Sequence, residues 1–592
     1  MAGRGSRAQP REVAARRQDE PDAFTLFAPL VLSGEIAPSP EATRVGTPTA
    51  EPSSTPSAGP SAMPTTGAPG TPTAGPSSTP TAGTPGTVRT TSGDVSGALV
   101  AGAWRFLGMP YAAPPLGDLR WRAPAAPEPW QGALEADAFG PACPQYDDGS
   151  SLFGDEDCLT LNVFAPPDVF EQSDARPVLF FIHGGGHVQG AGSVSVGDHP
   201  LYDGTTLAVE HGVVVVTINY RLGPFGFLAH PALTAEGGEQ ASGNYGALDQ
   251  LAALRWVHDN IAGFGGDPER VTVSGESAGS VSACRLVASP LAAGLVHRAI
   301  LMSGACVATP LDTAEQDGVA VAEELGCADA PDVPACLRAR SMASVMDTLG
   351  PGVSGPGSLA RGAYDGVIDG YLLPAAPREL IEAGRHNQIP VIVGTTSAES
   401  GRDAPPITTE AEYEAAVRAY LAAAGLPPVL APLVLAAYPT GDYPSPRDAF
   451  VALSSDVKFV CQARRDLRLL SSGQEEPTYR YWFDHVPDNV GETARSRGAF
   501  HGLELTFLFG VLDVGIGPLR YEPGPGDLAV SAAMQGYWAR FAASGDPNGG
   551  AAAWPIYDIE RDPSLVLAPE PHVAEGLRAE QCDFWDALGG RD

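Results

Sequence analysis

A serine flanked by glycines stands between a strand pattern and a helix pattern, and this junction constrains the fold more than any other feature. Arg270–Val273 is a short β-branched run typical of a buried strand. Ser280–Ala288 is mostly small and apolar, without Pro or Gly, as in a helix. Gly275 and Gly279 flank Ser277 at the G-x-S-x-G spacing, where a sharp turn leaves no room for side chains. An ordinary glycine-rich turn would fit the pentapeptide but not its context, so we predict that Ser277 is a nucleophile.

A glycine-rich loop upstream fits the same site. Val178–Ile182 is a continuous apolar run typical of a buried strand, and it leads into His183–Gly186 with its three consecutive glycines. Glycines let the backbone approach a ligand closely and donate N–H groups to it. In the α/β-hydrolase arrangement, such a loop and the residue after the nucleophile form an oxyanion hole. A flexible glycine turn is the alternative, which the position of this loop before Ser277 disfavours.

The chain order of α/β-hydrolases, which is nucleophile, acid and then histidine, narrows the remaining catalytic groups. Pro390–Gly394 is a buried-strand run, and Glu399 follows it in a polar turn, so Glu399 is the first candidate for the acid. The competing carboxylates are Asp365, Asp369 and Asp403. The histidines after Glu399 are His485, His501 and His572. His501 begins a loop that leads into an apolar segment, which makes it the preferred base.

Residues 1–90 differ in composition from the remainder of the chain. Pro40–Thr91 consists mostly of Pro, Thr, Ser, Ala and Gly, which cannot bury enough apolar surface to fold. We therefore predict a disordered segment at 1–90, comprising a targeting region and a linker, and one folded domain at 91–592. Ala23–Ser33 resembles the short apolar core of a signal peptide, although acidic side chains directly precede it, so this signal is atypical.

The charge of the chain excludes one class of partner. The formal net charge is −34, and a protein this acidic repels the phosphates of nucleic acids. No apolar run reaches the length of about 18 residues that a membrane span needs, so we expect no transmembrane segment. The oligomeric state does not follow from these properties.

Five longer blocks follow one another in a fixed order along 88–592. They are Phe106–Arg120, Glu156–Val163, Asn219–Leu228, Asn244–Gln250 and Phe264–Gly279. With these blocks the chain resembles the type-B carboxylesterases, the family that contains the cholinesterases and the bile-salt lipases. The resemblance implies an α/β-hydrolase fold, with a large and mostly parallel central sheet that carries helices on both faces.

The resemblance also implies a role for each candidate site residue. It makes Ser277 the nucleophile, Glu399 the acid and His501 the base. It supplies oxyanion donors at Gly185, Gly186 and Ala278, and it places two supporting side chains beside the triad, Glu276 and Ser303. The implied activity is a serine carboxylesterase that hydrolyses small ester substrates through an acyl-enzyme, without a cofactor or a metal.

Three disulfides are implied by the positions of cysteines within the matching blocks. These pairs are Cys143–Cys158, Cys327–Cys336 and Cys461–Cys582. Cys284 and Cys306 are left over, and the sequence leaves open whether they pair or remain buried thiols. Because paired cysteines are typical of oxidising surroundings, we expect a secreted or cell-envelope protein.

Departures from the family pattern bear on the substrate. The loop between Cys143 and Cys158 has no Trp, so a cation–π site for choline is unsupported. His187 and Val188 replace the usual aromatic residues after the oxyanion glycines, and 350–362 are rich in Gly and Ser where cholinesterases carry acyl-pocket aromatics.

These departures lead us to expect broad or medium-chain ester specificity. A dedicated lipase, or a hydrolase of toxin or drug esters, is the alternative within the same chemistry. A non-catalytic adhesion protein is the alternative from another class, and the presence of all three triad residues disfavours it.

Overall fold

The computed structural model describes most of the domain that the sequence predicts. The described residues are 86–147, 151–172, 174–349, 364–516, 519–550 and 552–589. Of the segment 1–90, which is predicted to be disordered, residues 1–85 lie outside the described residues. Its last residues include a short strand, Thr87–Arg89. The Gly- and Ser-rich segment 350–362 also lies outside the described residues.

Eleven strands form the central sheet. In chain order they are β1 Ala98–Val100, β2 Ala103–Pro110, β3 Thr160–Ala165, β4 Arg176–Ile182, β5 Val214–Ile218, β6 Gly266–Glu276, β7 Arg298–Met302, β8 Val391–Thr396, β9 Thr478–Phe483, β10 Pro563–Leu567 and β11 His572–Glu575. Across the sheet their order is β11-β10-β9-β8-β7-β6-β4-β5-β3-β2-β1.

The central strands are parallel and the outer strands are antiparallel. The parallel block extends from β5 through β4, β6, β7, β8 and β9 to β10. The outer strands β11, β3, β2 and β1 pair antiparallel with their neighbours. In sheets of this kind, ligands bind beyond the carboxyl ends of the parallel strands. The predicted site residues lie at or after the carboxyl ends of five of these strands, β4, β6, β7, β8 and β9.

Both faces of the sheet are covered, which explains why its strands are continuous apolar runs. In β4, Val178, Phe180 and Ile182 belong to one hydrophobic core, whereas Leu179 and Phe181 belong to another. Successive side chains of a strand point to opposite faces, so the two cores lie on the two sides of the sheet. The predicted α/β fold, with a mostly parallel sheet between helices, is confirmed.

Seventeen α-helices lie in the described part of the chain. They are α1 Thr205–His211, α2 Gly223–Phe227, α3 Pro231–Glu236, α4 Tyr245–Asn260, α5 Ala278–Ala288, α6 Leu311–Glu324, α7 Val333–Arg338, α8 Met342–Asp347, α9 Pro377–Glu382, α10 Glu410–Ala423, α11 Ala431–Ala437, α12 Pro446–Ser455, α13 Cys461–Gly473, α14 Glu492–Arg495, α15 Glu504–Leu508, α16 Pro525–Ser544 and α17 Ala579–Ala587. No helix among the described residues is long and apolar enough to cross a membrane.

Small sheets decorate the domain away from the central sheet. A three-stranded one combines Thr87–Arg89, Asp94–Ser96 and Ala133–Glu135. The two-stranded ones pair Gln145–Tyr146 with Leu152–Phe153, Ser195–Val196 with His199–Pro200, Thr309–Pro310 with Val367–Ile368, and Gly515–Ile516 with Leu519–Arg520.

The elements around the predicted nucleophile are longer than their sequence patterns indicate. β6 extends back to Gly266, with a register shift between Gly266 and Val271. The first residues of this strand are polar, and a hydrophobicity pattern therefore does not detect them as part of a strand. α5 begins at Ala278 rather than at Ser280, because small residues at its start pack closely against the sheet.

All eight cysteines are paired, and the described residues contain no free thiol. The bonds are Cys143–Cys158, Cys284–Cys306, Cys327–Cys336 and Cys461–Cys582. The second bond answers the question that the sequence leaves open. The fourth joins α13 to α17 across 121 positions, and closing a loop of this length stabilises the folded state by up to about 5 kcal/mol in the chain-entropy account.

Candidate active site

Ser277 lies on a strained turn between β6 and α5. Its backbone has φ 56° and ψ −125°, a region that residues with a side chain rarely adopt. A Cβ at Gly275 would lie 2.3 Å from the Gly279 carbonyl, and a Cβ at Gly279 would lie 2.0 Å from the Ile182 carbonyl of β4. The two glycines of the motif are therefore required by the close approach of backbone segments.

The glycine loop after β4 passes directly beside this turn. A Cβ at Gly184 would lie 3.0 Å from the Ser277 Cβ. Gly185 and Gly186 have φ of 106° and 62°, which favours glycine at both positions. Their N–H groups have no acceptor among the described residues, and the N–H of Ala278 belongs to the open first turn of α5. Loop and helix thus bring three donors to the neighbourhood of Ser277.

Glu399 and His501 are joined by a short hydrogen bond. His501 Nδ1 lies 2.6 Å from Glu399 Oε2, and the His501 backbone N–H donates to the Glu399 carbonyl at 3.1 Å. The other carboxylate oxygen, Oε1, accepts from the Thr396 backbone at 2.8 Å and from Ser303 Oγ at 2.7 Å. Because its carboxylate is held by several donors, Glu399 fixes the orientation of the imidazole.

The competing residues lie in other networks. Asp365 is within 3.4 Å of His187 and Arg285, Asp369 accepts from Asn244 Nδ2, and Asp403 pairs with Arg402. His485 Nε2 lies 2.7 Å from Asp527 Oδ1, and His572 is exposed at the edge strand β11. Of the predicted acids and bases, the structure brings together Glu399 and His501.

Two more carboxylates surround the imidazole of His501. His501 Nε2 lies 3.1 Å from Glu276 Oε1, although this contact lacks hydrogen-bond geometry. Glu504, on the first turn of α15, is fully buried, and its Oε1 lies 3.4 Å from Ser303 Oγ. Since Glu276 directly precedes Ser277, its contact places the Nε2 edge of the imidazole next to the strained turn.

Residues 84–585 match the sequence profile of the Carboxylesterase family. The chain belongs to this family. It is 36% identical to the cocaine esterase of Homo sapiens over 535 residues, covering 84% of this chain and 90% of the relative. It is also 36% identical to the para-nitrobenzyl esterase of Bacillus subtilis (strain 168) over 506 residues, covering 83% of this chain and 97% of that relative.

A solved structure titled PNB esterase has the same fold as this carboxylesterase. The two match with a TM-score of 0.68 and 34% sequence identity, over 84% of this chain and 99% of that chain. The match identifies the mostly parallel sheet with its flanking helices as the α/β-hydrolase fold. A further relative is the fumonisin B1 esterase of Sphingopyxis macrogoltabida, which is 36% identical over 522 residues, covering 83% of this chain and 87% of that relative.

The carboxylates of this carboxylesterase change the titration of His501. Burial by itself lowers the pKa of His501, but the negative charges of Glu276 and Glu399 outweigh burial and raise it to about 9. Burial raises the pKa of Glu276 to about 7, against the attraction of His501. Burial, with repulsion from Glu276 and Glu399, raises the pKa of Glu504 well above its usual range. The carboxylates of the site therefore favour the imidazolium form of His501.

Two side chains of the site were missed by the sequence analysis. Glu504 follows His501 by three positions, and the turn that starts α15 brings it back toward the imidazole. Phe459 lies in a π-helical segment, Asp456–Val460, and its ring stacks on His501 with centroids 4.3 Å apart and an interplanar angle of 28°. The spacing of Glu504 was visible in the sequence, whereas no local pattern indicates the π-helical segment, which is a local feature common at functional sites.

One group of side chains among the described residues has the composition of a metal site. His485, Asp488 and Asp527 offer ligand atoms within 4.8 Å of one another. The Asp527 carboxylate, however, already accepts from Tyr521 Oη at 2.6 Å and from the Gly524 backbone at 2.7 Å. The bond from the Gly524 backbone caps the start of α16, and the two bonds together explain the cluster without a metal.

Proposed function

We propose that this carboxylesterase hydrolyses carboxylic esters through an acyl-enzyme, with Ser277 as the nucleophile, His501 as the base and Glu399 as the acid. The observation that carries the proposal is the 2.6 Å contact between His501 Nδ1 and Glu399 Oε2, beside a serine held on a strained turn. This combination of a serine on a sharp turn, an oriented imidazole and a fixed carboxylate is the arrangement of serine hydrolases.

The residues act in two stages. His501 Nε2 takes the proton of the Ser277 hydroxyl as the oxygen attacks the ester carbonyl, and then gives that proton to the departing alcohol. Water attacks the resulting acyl-enzyme with the same base, which releases the acid and restores the serine. Glu399 keeps the proton of the neutral imidazole on Nδ1 and stabilises the imidazolium that forms in each stage.

The oxyanion of both stages is received by backbone donors. Gly185 and Gly186 supply two N–H groups from the loop, and Ala278 supplies a third from the start of α5. Since these groups are fixed before the reaction begins, they need little reorganisation as the charge develops. Removing one such donor in a serine hydrolase typically costs about 3 to 4 kcal/mol of transition-state stabilisation.

Neutral esters are the proposed substrates, with broad or medium-chain specificity for the acyl group. Three relatives are named for different esters: cocaine esterase, para-nitrobenzyl esterase and fumonisin B1 esterase. These names support a fold that can accept esters with different alcohol and acid groups. The loop from Cys143 to Cys158 lacks the Trp on which a choline group would stack. A dedicated lipase would instead prefer long-chain emulsified esters in a chain-length series.

We also propose that the protein functions outside the cytoplasm, either secreted or in the cell envelope. Its four disulfides support this location, because such bonds persist in oxidising compartments. Fractionation of the producing cells tests the proposal, since the proposed location requires esterase activity in the medium or envelope fraction. Activity confined to the cytoplasmic fraction would contradict it.

The catalytic assignment is tested with a fluorophosphonate probe, which modifies an activated serine covalently. We expect the parent protein to be labelled at Ser277 and to hydrolyse p-nitrophenyl butyrate. Ser277→Ala and His501→Ala should each lose at least about a thousandfold in kcat, because triad members act as a unit. The control variants Ser472→Ala and His572→Ala change exposed residues and should keep parental rates.

Two results would contradict the assignment. A folded Ser277→Ala protein with near-parental turnover would show that another residue is the nucleophile. A parent protein that neither reacts with the probe nor turns over any ester in a chain-length series would favour the non-catalytic adhesion class instead.

A further inference from the structure

His187 is the first side chain after the three glycines of the loop. Gly184, Gly185 and Gly186 have no side chains that could hold the loop in place. His187 itself is 1% exposed and has φ 58°, an uncommon conformation for a residue with a side chain. The backbone at this position is held as well, because the His187 carbonyl accepts from the Gly223 N–H at 2.6 Å. The loop is therefore anchored at its end by one residue.

Both ring nitrogens of His187 face polar groups. Nε2 lies 3.0 Å from the hydroxyl oxygen of Ser282, on α5, and Gln250 Nε2 on α4 donates to the same oxygen at 3.0 Å. Nδ1 lies 3.4 Å from Asp365 Oδ1, which Arg285 NH2 approaches at the same distance. A ring that only filled space would not need partners at both nitrogens.

These contacts form a chain with one consistent direction. A carboxylate can only accept, so the 3.4 Å contact with Asp365 is consistent with the tautomer that carries its proton on Nδ1. Nε2 then accepts from the Ser282 hydroxyl, whose oxygen in turn accepts from Gln250. The charges around the ring agree with this neutral form. Burial is the largest effect on the pKa of His187 and lowers it, Arg285 lowers it further, and Asp365 and the Ala278 backbone partly offset them.

The contact with Ser282 joins the two halves of the oxyanion site. Two donors come from the loop, at Gly185 and Gly186, and the third comes from Ala278 at the start of α5. Ser282 lies four residues after Ala278, one turn along the same helix. The hydrogen bond from Ser282 to His187 is therefore a direct link between the helix that carries one donor and the loop that carries the others.

We propose that His187 is a positioning residue that sets the distance between the loop donors and the helix donor of the oxyanion hole. It acts through Ser282 and Asp365 and does not touch the substrate. This inference rests on the proposed function, since the donors have a catalytic role only if Ser277 is acylated.

The alternative role of His187 is apolar packing. Its ring lies 4.9 Å from the ring of Phe227 and 6.4 Å from the ring of Tyr220, measured between centroids. His187→Phe separates the two roles, because phenylalanine keeps an aromatic ring at the position and removes both polar contacts. His187→Gln is the conservative variant, since its side-chain amide can still bond to Ser282. His258→Phe, at an exposed site on α4, controls for the exchange itself.

The experiment measures kcat and KM for p-nitrophenyl butyrate together with inhibition by a trifluoromethyl ketone, which forms a tetrahedral adduct in the oxyanion hole. We expect His187→Phe to lower kcat by about 10- to 100-fold with KM little changed, the scale for displacing a catalytic group by about 1 Å. The inhibition constant should rise in step with the loss of kcat/KM. His187→Gln should recover part of the rate, and His258→Phe should match the parent.

Ser282→Ala provides an independent measurement of the same link. It should lower kcat in the same manner, and the double variant with His187→Phe should be no worse than the more damaging single change, because both remove one interaction. If His187→Phe does not fold, Ser282→Ala and His187→Gln decide the question. Parental kcat and inhibition in the folded Phe variant, or in Ser282→Ala, would overturn the proposal.

Failure of the inference is distinguishable from failure of the proposed function. The proposed function fails if the parent turns over no ester, or if Ser277→Ala remains active. The positioning role fails if the parent is active and Ser277→Ala is inactive, yet the variants of His187 and Ser282 behave as the parent does.

Discussion

Replacing Glu276 with Gln should move the pH–activity profile of the enzyme toward lower pH. In the proposed mechanism, His501 acts as a base only in its neutral form, so activity should rise with pH through the pKa of its imidazole. Glu276 is the largest of the charges that raise this pKa to about 9. Gln has nearly the same shape without the negative charge, so the substitution makes the imidazolium less favourable and lowers the pKa.

The magnitude follows from the contact. Glu276 Oε1 and His501 Nε2 are 3.1 Å apart, and their side chains are 7% and 13% exposed. At an effective dielectric constant of about 20, two full charges at this range attract by about 5 kcal/mol, or at most about 4 pKa units at 1.36 kcal/mol per unit. Because the pKa of Glu276 is itself about 7, its charge is present through the acid limb of the profile. We expect the midpoint of that limb to fall by about 1 to 3 units.

The assay is kcat/KM for p-nitrophenyl butyrate between about pH 5 and pH 10.5, recorded at the isosbestic wavelength of p-nitrophenol, because this ratio reports the titration of the free enzyme. The midpoint is the readout, since the plateau rate also depends on other contacts of Glu276. Glu414→Gln, which removes an exposed carboxylate on α10, is the matched control. A midpoint that stays in place in folded Glu276→Gln would show that Glu276 is protonated throughout, and would refute the electrostatic argument.

Four further predictions concern other parts of the molecule. Phe459→Leu should lower kcat about tenfold with KM unchanged, because it removes the aromatic ring that stacks on His501. Phe459→Tyr, which keeps an aromatic ring, should retain the parental kcat, and equal kcat in the parent and both variants would contradict this role. Peptide mapping without reductant should recover the bond Cys284–Cys306, and alkylation of both thiols in unreduced protein would exclude it. Deleting 1–85 should leave kcat/KM unchanged and Tm within a few degrees, whereas a larger fall in Tm would mean that this segment docks on the domain. Butyrylcholine should not be preferred over a neutral butyrate ester of similar reactivity at physiological ionic strength, and a clear preference would reveal another aromatic platform.

The sequence predicts the parts of the site that follow strand ends. Ser277 and the glycine loop stand next to apolar runs, so their positions at the carboxyl ends of β6 and β4 follow from local patterns and chain order. Glu399 was one of several carboxylates, and its contact with His501 spans 102 positions, which no local pattern encodes. The buried-strand run before Glu399 made it the first candidate, and the motif resemblance then favoured it over Asp365, Asp369 and Asp403.

The remaining features depend on packing between distant segments. The pairing of Cys284 with Cys306 requires α5 to lie against the segment after β7, and spacing alone does not establish that. The contact of Phe459 with His501 requires one wide turn in an otherwise helical stretch, which side-chain preferences do not indicate. The link from His187 to Ser282 likewise exists only once the loop and α5 meet.

The bond between Cys461 and Cys582 has a consequence for how the protein is made. The other three bonds close separations of 9, 15 and 22 positions, whereas this one closes 121 and needs a residue near the end of the chain. During vectorial synthesis or export, the three short loops can oxidise while Cys461 still lacks its partner. Cys461 therefore remains available for mispairing until α17 emerges, and a chain that stops before Cys582 would keep an unpaired thiol on α13.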